Sequence, residues 1–298
     1  MASTTPLSGS GTGVDLVPID HRAVLVPLDG STPSERALGP AGWLADQLGA
    51  ALHTVVVGYM DDTRSYSSYV RSLRDRWPLL VPHFVGDFDV ALGIVEMTRR
   101  LDGCLVCMGT HGRSRTAAIL GSTFVDVARS LTEPLLAIGP HAAVPDRDAQ
   151  RIVACVDGTR TSEQILPLAG GWARRLGATL DIVVVVEPLA SLSAHDERHH
   201  RRLADPTAYV TGLLQVPELA GIDAEAHVAF DPLGPDEGLV DHLRDHPATL
   251  VATTSRLRTH FDRALHGSTA SRIVHASPVP VLVQPAVKLS GEPTEGRP

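Results

Sequence analysis

Residues 22–58 read RAVLVPLDGSTPSERALGPAGWLADQLGAALHTVVVG, and residues 151–187 read RIVACVDGTRTSEQILPLAGGWARRLGATLDIVVVVE. Each stretch opens on an apolar run that ends in Asp-Gly. Each continues through a Ser or Thr cluster into a helical segment carrying Ala-Gly-Trp or Gly-Gly-Trp, then passes Leu-Gly-Ala into a second apolar run. Two copies in the same order predict two similar units. The apolar runs do not alternate with polar residues, which is the pattern of parallel strands covered on both faces.

Outward from these stretches, short apolar runs continue to alternate with helical ones. In the first unit strands are expected over 23–28, 52–57, 83–85, 104–108 and 135–138, with helices over 33–48, 65–76, 88–101 and 122–130. Pro33 suits the first turn of its helix, Gly49 its exit, and Asp87 the N-cap of the third helix. In the second unit strands are expected over 152–156, 180–186, 226–229, 249–253 and 279–283, with helices over 162–176, 206–216, 236–246 and 269–276. Five strands joined by helices give an α/β fold with right-handed crossovers. Each unit is then a flavodoxin-like, Rossmann-like parallel sheet of order 3-2-1-4-5, flanked by helices. The first unit spans 21–140, a linker 141–150, and the second unit 151–285. Residues 1–20 and 286–298 are small, polar and Gly- or Pro-rich, so both ends are expected to be disordered.

Composition narrows the function classes. The net charge is -8 and aromatics are only 4% of the 298 residues, which argues against a general nucleic-acid binder. No apolar run is long enough to cross a membrane, and the first 20 residues lack a basic region followed by an apolar core. Three cysteines, Cys104, Cys107 and Cys155, argue against a disulfide framework and for a cytoplasmic protein. Cys104 and Cys107 are three apart in a strand, so they face opposite sides and read as small core residues.

Ligands of open parallel sheets bind beyond the carboxyl ends of the strands, where strand order reverses. Asp29 ends the first strand of the first unit and Asp157 that of the second. Each offers acceptors to a ligand's amine or hydroxyl groups, or simply makes the turn and caps the helix. The fourth strand leads into Met108-Gly109-Thr110-His111-Gly112-Arg113-Ser114-Arg115 and then Gly121-Ser122-Thr123. Gly109 and Gly112 permit close approach of backbone to a phosphate chain, and Arg113 and Arg115 add charge. Gly121-Ser122-Thr123 opens a helix whose first amides and dipole favour an anion.

With Asp29, Gly109, Gly112, Gly121 and Ser122 in this order, the chain resembles a tandem universal stress protein over about residues 22–285. ATP-binding members carry the Asp and G-x2-G-x9-G-[S/T]; here eight residues rather than nine separate Gly112 from Gly121. The resemblance implies that Val57 meets adenine and that Met108 with the following backbone lines the ribose. In the second unit it implies Asp157, Val185 and Gly267-Ser268-Thr269, while Thr254 and Leu257 fall where glycines belong. It further implies bound ATP with Mg, a regulatory role in stress and slow hydrolysis at most. It also implies an internal pseudo-dimer in which the two fifth strands meet antiparallel; pairing of two chains into a homodimer is compatible with this. The alternative is an interaction module whose sites have degenerated; a weaker one is a slow adenine-nucleotide hydrolase. No catalytic residue and no metal ligand is assigned. His111 lacks the partners of a general base, and the run from His195 to His199 and His200 reads as a solvated loop.

Overall fold

The computed structural model describes residues 16–58, 63–86, 89–110, 120–146, 148–186, 203–231, 234–255 and 269–287. In the first unit β1 (Ala23–Pro27), β2 (Ala51–Gly58), β3 (Val81–Gly86), β4 (Cys104–Gly109) and β5 (Leu135–Ile138) alternate with helices. These are α1 (Thr32–Glu35), α2 (Leu38–Leu48), α3 (Thr63–Arg76), α4 (Val90–Arg100) and α5 (Ser122–Ser130). The second unit repeats the order with β6 (Arg151–Val156), β7 (Thr179–Val186), β8 (Ala224–Phe230), β9 (Leu250–Ser255) and β10 (Val281–Pro285). Its helices are α6 (Arg160–Glu163), α7 (Leu166–Leu176), α8 (Pro206–Leu213), α9 (Pro235–Asp245) and α10 (Thr269–Ala276).

The strands form one ten-stranded sheet of order β3-β2-β1-β4-β5-β10-β9-β6-β7-β8. Each half therefore has the expected 3-2-1-4-5 order. Pairing is parallel within each half, and β5 and β10 pair antiparallel at the seam, with Leu136 opposite Leu282. That seam covers the fifth-strand edge of both halves, which an apolar strand such as Leu-Leu-Ala-Ile requires. Side chains alternate between two cores: Val24 and Val26 face the α2 side, whereas Leu25 faces α4 and α5. Cys107 and Cys104 divide between those cores in the same way, as their spacing predicts.

Two details differ from the sequence expectation. The single helices expected over 33–48 and 162–176 are each broken, into α1 and α2 and into α6 and α7. Pro40 and Pro167 lack the amide that would continue the helix, so each longer segment restarts just before its proline. The third helix begins at Val90, and its N-cap is Asp89, whose carboxylate accepts from Leu92 N at 2.8 Å. The expected cap, Asp87, lies outside the described residues.

The chain ends also depart from expectation where they are described. Leu16, Val17 and Ile19 lie against α7, Val17 N donates to Pro167 O at 3.2 Å, and His21 stacks on Trp172. These apolar residues strap the start of the first unit onto the second. At the other end Ala286 N donates to Ser255 O, and Gln164 holds the backbone of Val287 through both its amide atoms. No described helix is long and apolar enough to cross a membrane.

Candidate functional site

The crevice at the carboxyl ends of β1 and β4 is walled on one side by the Asp29 turn. Gly30 has φ +77°, so the turn needs a residue without Cβ strain. Asp29 Oδ1 accepts from Ser31 N at 2.9 Å and from Ser31 Oγ at 2.6 Å. Ser31 in turn caps α1 by accepting from Ser34 N. The second unit repeats this arrangement. Gly158 has φ +85°, Asp157 Oδ1 accepts from Thr159 N and Oγ1, and Thr159 caps α6. The expectation that Asp-Gly makes the turn and organises the helix start is what the geometry displays. It also fixes the orientation of each carboxylate at the mouth of its crevice.

The opposite wall is the end of β4 and the start of α5. Gly109 sits against α1: a Cβ there would lie 2.9 Å from Pro33 O, a backbone atom that cannot swing aside. Its lack of a side chain is thus used first for helix-to-strand packing. Thr110 is buried and donates from its amide to Ile138 O, which pins the chain as it leaves β4. The path returns at Gly121, whose amide donates to Thr110 O at 2.7 Å. Gly121 is the N-cap of α5, with no side-chain cap hydrogen bond, and Ser122 and Thr123 begin the helix. A Ser, Asp or Thr side chain caps α1, α4, α6 and α8, whereas α5, like α2, α7 and α9, has no side-chain cap. An anion's oxygen is suited to take the place of such a cap at α5.

Other expected residues fall as follows. Val57 is half-buried against α4, where a Cβ on Gly93 would lie 2.9 Å from its Cγ1. Val185 is packed in the same way against Gly238 of α9. Met108 is buried in the core beneath α4 and α5. Thr269 opens α10. Gly112, Arg113, Gly267 and Ser268 lie outside the described residues, as do His111, Arg115, Leu257 and the His195–His200 run. In the second unit Thr254 stands near the end of β9, and its hydroxyl donates to Ser162 O on α6 at 3.4 Å. There a side chain bridges strand and helix where the first unit brings backbone to backbone. Burial pushes the Cys104 and Cys155 thiols up to about 12 and raises Cys107 further, so none is a thiolate nucleophile at neutral pH.

Residues 149–285 match the model of the universal stress protein family. That match covers the second unit. The universal stress protein fold extends over the first unit as well. A universal stress protein from Archaeoglobus fulgidus DSM 4304 is similar at 20% identity, with 89% of this chain and 98% of that chain covered and a TM-score of 0.61. A functionally unknown protein from Pseudomonas aeruginosa PAO1 is similar at 18% identity, covering 89% and 93% with a TM-score of 0.58. At these identities the likeness concerns the tandem universal stress protein architecture and not the ligand. No curated protein matches the chain.

Sequence reasoning passed over the packing role of Gly109. It also passed over a polar cluster at the other end of the second unit, although His242 and His246 stand four apart in an expected helix. That spacing places two imidazoles on one helix face.

Proposed function

We propose that the chain is a regulatory nucleotide-binding protein of the stress response, acting in the cytoplasm, and that its first unit binds an adenine nucleotide, principally ATP with Mg. The observation that carries this reading is the start of α5. Its N-cap is a glycine with no side chain to accept from the first turn, and it opens onto the crevice between β1 and β4. The phosphates would occupy that helix start, together with Ser122 and Thr123, Gly109, Gly112 and Arg113. Asp29 would accept from the nucleoside, which would lie along Val57 and Met108. The match of the second unit to the universal stress protein family model supports the same reading. The proposed residues would hold phosphate, and any hydrolysis would be slow.

The second unit supports a scaffold reading for itself. β10 supplies the seam to β5, and Thr254 fills the junction of β9 with α6. Asp157, Val185, Gly267, Ser268 and Thr269 would then form a weaker nucleotide site.

Calorimetry with ATP tests the assignment. Gly121 has φ −58° and ψ 146°, a backbone that any residue adopts, so Gly121→Val should fold. It should bind no ATP, because the branched side chain crowds the phosphate. Unchanged affinity in a folded Gly121→Val protein contradicts the site.

A further inference from the structure

The second unit carries a polar cluster at the end of the sheet opposite the crevice. β7 contributes Asp181, β8 contributes Glu225 and His227, and α9 with its C-cap contributes His242 and His246. One ring nitrogen from each of His227, His242 and His246 lies within 4.8 Å of the others. The rings are 4.6 to 5.0 Å apart between centroids. His227 Nε2 is buried without a hydrogen-bond partner, 3.5 Å from both Asp181 Oδ2 and Glu225 Oε2. We propose that His227, His242 and His246 form a binding site for a zinc-class divalent cation.

Four observations point the same way. Imidazole donors suit zinc and its neighbours, which take tetrahedral nitrogen sets, and not the oxygen-seeking Mg2+ or Ca2+. Asp181, fully buried, accepts from His242 Nε2 at 3.1 Å, the carboxylate partner that orients a ligating imidazole and leaves its other nitrogen with the lone pair. The charge balance favours a cation. Arg151 pairs with both Asp181 and Glu225, so one negative charge remains in excess while the imidazoles are neutral. The C-terminal end of α9 adds the negative pole of its dipole. Finally, an open cleft of about 410 Å³ reaches His246 from solvent and is bordered, among the described residues, by Asp146, Asp148 and Asp245 against the single cation Arg151, an acidic balance that would draw cations inward.

The fold does not require His242 and His246. Gly93 packs on Val57 as Gly238 packs on Val185, which aligns His242 with Met97 and His246 with Leu101. At those two positions the first unit carries apolar side chains, both packed against its core.

The test uses the untagged full chain, stripped with EDTA and titrated with Zn2+ against a chromophoric chelator, and with Co2+ by visible absorption. One zinc per chain is expected, with the intense absorption of tetrahedral Co2+ and no competition from Mg2+. Combining His227→Gln with His246→Ala should abolish binding, and Asp181→Asn should weaken it roughly 10- to 100-fold. A variant with His195→Ala and His199→Ala should bind normally. Circular dichroism establishes that each variant is folded. Absence of stoichiometric zinc overturns the proposal. So does zinc retained by the folded His227→Gln, His246→Ala protein, or zinc lost on substitution of His195 and His199.

Discussion

The two units share strand order, seam and Asp-Gly turns, yet they differ at the lower end of the sheet, where the strands begin. In the first unit His53 on β2 stands at the register position that Asp181 occupies on β7. His83 on β3 matches His227 on β8. His53 and His83 stack with Nδ1 and Nε2 2.9 Å apart, and burial holds both imidazoles below their usual pKa, which keeps them neutral. In the second unit one of those positions is a buried carboxylate. Burial alone would raise its pKa, but the His242 hydrogen bond and the Arg151 guanidinium outweigh burial and hold it low. One architecture therefore accepts either a neutral pair or a charged network at one place. The pattern of apolar strands specifies the fold, and the polar residues are left to specify something else.

The contrast can be broken most forcefully at Asp181. Replacing it with Ala leaves Arg151 with only Glu225 and removes the partner of His242. Loss of one member of a buried charge pair should cost about 3 kcal/mol. His53→Ala at the matching position, where the side chain is half-exposed and neutral, should cost no more than about 1 kcal/mol. Urea unfolding of both variants checks the difference; equal losses would show that the charged network contributes nothing special.

A smaller effect sharpens the contrast at the crevices. Gly109→Thr forces a side chain toward Pro33 O and should cost about 1 to 3 kcal/mol by overpacking, and should weaken the proposed ATP binding. The converse Thr254→Gly removes one long hydrogen bond and should cost about 1 kcal/mol. Urea midpoints and ATP calorimetry on the pair report both consequences. A Gly109→Thr protein as stable as the parent and still binding ATP would show that the crevice does not depend on that close approach.

The sequence disclosed what is local or repeated. Asp29 with Gly30 and Asp157 with Gly158 announce their turns within a few residues, and the recurrence of the whole segment announces two sheets. The strand order and the antiparallel seam followed from that repeat through the family resemblance. The breaks at Pro40 and Pro167 were present in the sequence but masked by apolar periodicity that runs straight across them. The strap of Leu16, Val17 and Ile19 was hidden by the small polar residues before it. The His227, His242 and His246 grouping joins a strand to the far end of a later helix, and no spacing along the chain reveals such a meeting.

The central claim is that the first unit is the principal nucleotide site and the second a weaker one. A crystal of the full chain soaked with ATP and Mg reports the occupancy of each crevice separately. The account predicts a triphosphate against the first turn of α5, with the adenine toward Val57. An unoccupied first crevice beside a filled second one would contradict it.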